Sequence, residues 1–466
     1  MPAQFGMIGL GTMGRNLVLN MAGHGIAVCG YDRNADQQKR LAEEGAGKPV
    51  QVAANMKDFV TSLETPRRIM MLVPAGKIVD AVIDEITPLL QPGDILIDGG
   101  NSHFTDTDTR IERLKPTGIH FTGMGVSGGE EGARLGPSMM PGGNKDGYAG
   151  LKNILEKIAA QTEDGPCVSF TGNGSAGHYT KMVHNGIEYA MMQLISEAYS
   201  LLKSVGGLNN GELQNLFSKW NKEELQSFLI EITAEVFKRK DDGTGNLLVD
   251  MILDKAKQKG TGMWTSQSAM DLNVPLPTID AAVSMRYLSA LKDERVAASA
   301  KYNLQKGKMS VAKDKLIELC KNSLHFGFLL SYAQGLQLLK TASDTYKYEV
   351  DIAEVLRIWK GGCIIRSVLL NDMRKAYQQD TSLTNIIQSP LFQKTLTNCR
   401  NDVAALLQIA MDNNLPVAAL SASLNYFDAY CSGRLPANLI QAQRDYFGAH
   451  TYERIDKPGS FHTEWN

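Results

Sequence analysis

The chain has 466 residues, 43% of them apolar, with 48 Lys and Arg against 50 Asp and Glu and a net charge of −2. At roughly 100 to 200 residues per domain this length gives about two to four domains, each with its own core, and excludes a disordered tail or a disulfide-stapled mini-protein. The balanced charge excludes the broad basic surface of a nucleic-acid binder but leaves room for a local anion pocket, and no run approaches the ~18 apolar residues of a membrane span.

In chain order, the N-terminus enters an apolar strand pattern at Phe5 with no basic segment before it, so a cytoplasmic protein is expected. Strands are predicted at Phe5–Ile8, Ala27–Tyr31, Arg68–Leu72, Ile95–Ile97 and Ile119–Gly123, with a weaker one near Val168–Phe170. Helical stretches separate most of them, and that alternation predicts a parallel sheet covered on both faces, a doubly wound α/β domain. Glycine is concentrated here: 28 of the 44 fall in residues 1–180. After Gly177 the pattern becomes long helical periodicity, over Tyr179–Ser204, Asn210–Lys238, Ala281–Asn303 and Val311–Thr341, and predicts a large all-α domain. From Arg434 the last 33 residues hold one short helical piece, Asn438–Phe447, too little to own a core. The expected division is 1–176, 177–433 and 434–466. The cysteines Cys29, Cys167, Cys320, Cys363, Cys399 and Cys431 form no C-x-x-C pair, so they are expected to be reduced core residues rather than zinc ligands or disulfides.

The first strand runs into Gly9-Leu10-Gly11-Thr12-Met13-Gly14, a G-x-G-x-x-G turn that opens a helix, and Asp32 stands 18 residues after Gly14 at the end of the next strand. Gly9 permits the tight turn, Gly11 lets backbone N–H groups approach a pyrophosphate, and Gly14 lets helix and strand pack closely. The alternative is a glycine turn that only packs, but the strand, helix and acidic residue supply the context of a dinucleotide site. Asp32 and Arg33 conflict over which dinucleotide. A carboxylate there holds the ribose hydroxyls of NAD and repels the 2′-phosphate of NADP, whereas a guanidinium attracts that phosphate.

In GHYTKMVHNGIEY, Lys181, His184, Asn185 and Glu188 fall at i, i+3, i+4 and i+7 and form one stripe over two helical turns. Met182, Ile187, Met191, Leu194 and Ile195 point elsewhere and supply packing surface. A solvated face with a salt-bridging pair is the bland reading. The helix begins where the dinucleotide domain ends, however, and interfaces beside strand ends bind substrates. Burial would lower the Lys181 pKa and raise that of Glu188, making a base and an acid, with His184 helping to keep the amine neutral. Gly99-Gly100-Asn101 and Val126-Ser127-Gly128-Gly129 follow predicted strands and so lie on the ligand side of the sheet, while Gln258-Lys259-Gly260-Thr261-Gly262 suits a phosphate or a plain surface loop. Arg286, Arg444 and His450 carry no meaning from composition alone.

The strings IGLGTMG, IDGGN, VSGGEEGA, GPSMMPGG, KMVHNGIEY, KGTGMWT and QAQRDYFGAHTYER, in this order over essentially the whole chain, resemble the decarboxylating 6-phosphogluconate dehydrogenases. The resemblance implies a Rossmann-type domain, an all-helical domain, and a tail that reaches a partner subunit in a homodimer with shared active sites. It implies oxidation of 6-phospho-D-gluconate at C3 by NADP, then loss of CO2 to give ribulose 5-phosphate in the pentose phosphate pathway, without a metal.

Carried over, Lys181 is the general base and Glu188 the acid that protonates the enediol. Asn101, Ser127, Gly128, Gly129, His184 and Asn185 orient the carboxylate and hydroxyls of the substrate. Tyr189, Lys259, Thr261 and Arg286, with Arg444 and His450 from the other subunit, hold the phosphate end. The dinucleotide falls to Gly9, Leu10, Gly11, Thr12, Met13, Gly14, Asp32, Arg33, Val73, Ala75 and Asn101. Asp32 stands where the family commonly has Asn, which leaves NAD or dual use open. Pro74 and Met263 replace commonly basic residues, and the stretch Tyr302–Lys313 is shortened. Two other readings compete: a 3-hydroxyisobutyrate-type dehydrogenase, which gives Lys259, Arg286 and the tail no role, and a silent dinucleotide sensor, which leaves Lys181 and Glu188 unexplained.

Overall fold

A computed structural model describes residues 2–304 and 311–465; much of the shortened Tyr302–Lys313 stretch therefore lies outside the described residues. The strands are β1 (Phe5–Ile8), β2 (Val28–Tyr31), β3 (Val50–Val52), β4 (Arg68–Met71), β5 (Ile95–Asp98), β6 (His120–Ser127), β7 (Ser138–Gly143), β8 (Gln161–Thr162), β9 (Gly165–Pro166) and β10 (Gly172–Asn173). Eight of them form one sheet in the order β10-β7-β6-β5-β4-β1-β2-β3. From β3 to β6 all neighbours are parallel, with Gly6 opposite Cys29 on one side and Ile69 on the other. The order reverses between β1 and β4, and in open α/β sheets ligands bind outside the strand C-termini at such a switch point. Every residue of β1, β2 and β5 is buried, because helices cover both faces. One apolar cluster gathers Leu17, Val18 and Met21 with Leu151 and Leu155; the other gathers Phe59, Val79 and Ile83 with Leu114.

The far edge of the sheet departs from the sequence expectation. Strand β7 pairs antiparallel with β6, Gly125 opposite Met140, and Val168–Phe170 is not a strand: Val168 makes only an isolated bridge to Met139, and the edge position goes to Gly172–Asn173. Pro141, Gly142 and Gly143 give β7 the composition of a turn. Gly142 also lets helix Ala176–Ser204 sit directly on the sheet, since a Cβ there would lie 2.3 Å from the Gly177 amide nitrogen. A Cβ on Gly177 would lie 2.1 Å from the Gly123 carbonyl oxygen, and one on Gly125 would lie 2.4 Å from the Lys181 Cβ. Glycine at both places sets the depth of that helix.

The rest of the chain is helical apart from the tail. Ala176–Ser204 runs three residues further toward the N-terminus than its periodicity indicated, and Lys313–Tyr346 also extends past expectation. Asn210–Lys238 is two helices, Asn210–Trp220 and Phe228–Val236, because Ser227 leaves the helical path and caps the second. Ala281–Asn303 likewise divides into Pro277–Ala290, opened by its proline, and Lys292–Tyr302. One core joins Val183, Ile187, Met191 and Leu194 to Leu324, Phe328 and Leu336 and to Leu406 and Ala410. At about 1.5–3 kcal/mol per buried large aliphatic side chain, this packing holds the first long helix rigidly enough to keep polar groups under cover.

The tail has a helix at Ala437–Gly448 and a small antiparallel pair that the sequence did not indicate, β11 (Tyr452–Glu453) with β12 (Ser460–Phe461). Both wrap Asp445, which is buried and accepts from the Thr451 and Thr463 amides and the Trp465 indole. Of the cysteines five are buried, while Cys431 is exposed and so not a core residue. Among the described residues no helix is long and apolar enough to cross a membrane.

Candidate active site

The glycine turn folds as its spacing requires. Gly9 has φ 92°, and a Cβ on Gly14 would lie 1.9 Å from the Gly9 carbonyl oxygen, so helix Thr12–Gly23 and β1 meet with no room for a side chain. A Cβ on Gly11 would meet nothing within 4 Å. That open side faces a groove of about 550 Å³ lined by Gly11, Thr12, Met13 and Gly14, by Val73, Pro74 and Ala75, by Gly99, Gly100 and Asn101, and by Lys259 and Trp264. Exposed amides at a helix N-terminus, an unfilled space and walls from two strand ends fit a dinucleotide. Leu10 is turned the other way: its N–H donates to Asp32 Oδ2 at 2.7 Å. Asp32 also accepts from the Asn34 amide at 2.8 Å, so its carboxylate fastens the turn as well as marking the strand end. Arg33 is exposed and reaches Glu85 at 2.5 Å, a surface pair of small worth that a phosphate dianion would displace.

Beyond the groove the polar stripe is not a solvated face. Lys181 is 6% exposed and His184 is fully buried. Asn185 Nδ2 donates to Thr261 Oγ1 at 3.1 Å, which turns Asn185 Oδ1 toward His184 Nδ1 at 3.0 Å. His184 Nε2 lies 3.2 Å from the Ser127 hydroxyl, so both ring nitrogens have a polar neighbour. Trp359 sets its edge against the ring. Burial, and then the charge of Lys181, push the His184 pKa well below its ordinary value. The ring is neutral, so its 3.9 Å approach to Glu188 is not an ion pair.

Lys181 Nζ lies 3.4 Å from His184 Nδ1. Burial lowers the Lys181 pKa, opposed by the charges of Glu188 and Cys363. Burial raises the Glu188 pKa, opposed by Lys181 and Arg286. The two environments push a base and an acid toward their neutral forms, the arrangement needed for proton transfer near neutral pH.

Around this pair stand the other expected residues. Arg286 stacks on Tyr189, its guanidinium carbon 3.5 Å from the ring centroid, and donates to the Lys257 carbonyl. Tyr189 is also where Met263 packs, with Ala282 and Val283. Gly128 and Gly129 follow Ser127 at the start of helix Gly129–Leu135. Arg444 and His450 are not brought to this network: Arg444 donates to Gln441 and His450 sets its edge on Phe447, both within the tail. Nothing in the sequence marked Trp359 as the neighbour of His184, since only folding brings that ring to its place.

Comparison with known proteins agrees with this arrangement. Residues 4–172 match the family model described as the NAD binding domain of 6-phosphogluconate dehydrogenase, and residues 177–465 match the one described as 6-phosphogluconate dehydrogenase, C-terminal domain. The chain is 51% identical to the decarboxylating 6-phosphogluconate dehydrogenase of Synechococcus elongatus, with 99% of each chain covered. It is 49% identical to the NADP(+)-dependent decarboxylating enzyme of Bacillus subtilis, again over 99% of each. The solved structure of Plasmodium falciparum 6-phosphogluconate dehydrogenase, studied with NADP+ and with 6-phosphogluconate, superposes with a TM-score of 0.95 at 41% identity, covering 99% of this chain and 100% of that one. With both parts of the chain matched and identity near one half over its full length, this protein belongs to the family of decarboxylating 6-phosphogluconate dehydrogenases.

Proposed function

We propose that the chain oxidises 6-phospho-D-gluconate at C3 and releases CO2 to give ribulose 5-phosphate, with NADP as the oxidant. The observation that carries this reading is buried Lys181 with partly buried Glu188 two turns along the same helix, beside a groove shaped for a dinucleotide. When bound, the dinucleotide accepts the hydride from C3. The neutral amine of Lys181 takes the C3 hydroxyl proton as that happens. Now an ammonium, it polarises the 3-keto oxygen while the C1 carboxylate leaves as CO2 and its bonding electrons form the enediol. Glu188 then delivers a proton to the enediol carbon that becomes C1 of the product. Ser127, Gly128, Gly129, His184, Asn185 and Asn101 orient the carboxylate and hydroxyls; Lys259, Thr261, Tyr189 and Arg286 receive the phosphate end.

Residues 1–176 form the dinucleotide-binding part of this scheme, 177–433 the substrate and dimerisation part, and 434–466 a tail that crosses to a second copy of the chain, bringing Arg444 and His450. The tail helix supports this: Leu439, Ile440, Tyr446 and Phe447 are exposed and apolar, a surface that docking would cover. A reducing cytoplasm fits the five buried free thiols.

Purified protein given 6-phosphogluconate and either dinucleotide should form reduced nicotinamide and CO2 in equal amounts. Reduction without CO2, or none, overturns the reading. NADP should be preferred if Arg33 outweighs Asp32. Asp32→Asn keeps an acceptor for the Leu10 amide while removing a like charge from the phosphate, and should raise the NADP-to-NAD ratio of kcat/KM by about 10-fold; Arg33→Ala should lower it by a similar factor. Unchanged ratios would move specificity to another loop.

The reaction can begin only with Lys181 neutral and can finish only with Glu188 protonated. Activity should therefore fall on the acid side as Lys181 gains a proton and on the alkaline side as Glu188 loses one. In Glu188→Gln the alkaline limb should vanish and solvent deuterium should enter product C1 more slowly; an unchanged pH profile and incorporation would leave Glu188 a packing residue.

A further inference from the structure

We propose that Arg110 is a positioning residue that fixes the dinucleotide groove relative to the helix bearing Lys181, an inference that rests on reading the groove as a dinucleotide site. Arg110 lies in helix Phe104–Leu114, belongs to no motif, and is only 2% exposed. Its guanidinium spreads over both walls of the groove. Nη2 donates to the Gly76 carbonyl at 3.1 Å, anchoring the loop that contributes Val73, Pro74 and Ala75. Nη1 donates to Asp98 Oδ2 and to Ser102 Oγ, each at 3.3 Å, at the two ends of the loop that contributes Gly99, Gly100 and Asn101. Nε donates to Asp80 at 2.7 Å.

Asp98, 1% exposed, carries the connection onward. Its Oδ1 accepts from the Gly100 amide at 3.0 Å and its Oδ2 from Ser102 Oγ at 2.6 Å, which fixes the shape of the loop. Its carbonyl oxygen accepts from His178 Nε2 at 3.0 Å, while His178 Nδ1 meets Thr107 Oγ1 at 2.6 Å. His178 is one helical turn before Lys181. One buried guanidinium thus joins two groove walls and, through Asp98 and His178, the turn that leads to the base. An ion pair this deeply buried is a poor source of net stability, and a planar fork with several donors is suited to fixing the relative placement of backbones. Hydride transfer makes that placement matter, because a misplacement of about 1 Å costs on the order of 100-fold in rate.

The test uses Arg110→Lys, which keeps the charge but loses the fork, and Ser102→Ala, which removes one hydroxyl from the network. Wild type is first shown to bind and reduce the dinucleotide; failure there overturns the groove reading and this inference with it. In Arg110→Lys the KM for the dinucleotide should rise about 10-fold, and the isotope effect on kcat/KM with C3-deuterated substrate should increase. The dissociation constant of the sugar acid alone should change less than about twofold, since all of its proposed contacts except Asn101 lie off the two loops that Arg110 anchors. Ser102→Ala should raise the dinucleotide KM about threefold and move the isotope effect in the same direction, and it decides between the outcomes if Arg110→Lys does not fold. A lower Tm with unchanged dinucleotide KM and unchanged isotope effect would make Arg110 purely structural and overturn the proposal.

Discussion

Lys181→Met should leave the fold and dinucleotide affinity in place and lower turnover by about 10² to 10⁴, the usual cost of removing a general acid–base group. Methionine nearly matches the lysine stem in length, and the slot it would occupy is buried between β6 and the helical core. Burying a thioether there costs less than burying an amine, so stability should not fall. Both steps that need the amine fail together: nothing accepts the C3 hydroxyl proton, and nothing cationic polarises the 3-keto oxygen. Single-turnover measurement of reduced nicotinamide isolates the first step, and adding the 3-keto acid directly isolates the second. Near-normal turnover in either assay would remove Lys181 from that step.

The second large effect concerns the tail. Arg444→Ala should lower kcat/KM by about 30-fold or more, because truncating one partner of a desolvated charge pair typically costs about 2–5 kcal/mol. The chain in which Arg444 acts is then decided by complementation. Lys181→Met and Arg444→Ala, each nearly inactive, are unfolded and refolded together in equal amounts. Random pairing makes about half of the dimers mixed, and in each mixed dimer one site carries both lesions while the other carries neither, so roughly a quarter of wild-type activity should return. If Arg444 serves its own chain, no site in a mixed dimer is intact. Confirmed mixing without recovered activity refutes the shared site. In the tail, Asp445, adjacent to Arg444, gathers the Thr451, Thr463 and Trp465 donors, and Leu439, Ile440 and Phe447 of the same helix are exposed.

The sequence by itself determined whatever short spacing encodes. The strand-turn-helix of Gly9 to Gly14, the alternation that makes a parallel sheet, and the i, i+3, i+4, i+7 stripe from Lys181 to Glu188 are local periodicities, and their geometry follows from the backbone alone. Motifs spread over the chain were enough to indicate the family. Only the tertiary structure decided how deeply that stripe is buried, because depth depends on Gly125 and Gly177 letting the helix touch a sheet in which β7 has the composition of a turn. It also decided that His184 is neutral, since only the folded chain buries the ring beside Lys181. The breaks at Ser227 and Leu291 lie inside unbroken periodicity, where packing overrides propensity. Arg110 is the extreme case. Nothing near it in sequence distinguishes it from a surface arginine, and its role comes from four partners, Gly76, Asp80, Asp98 and Ser102, that only the fold brings together.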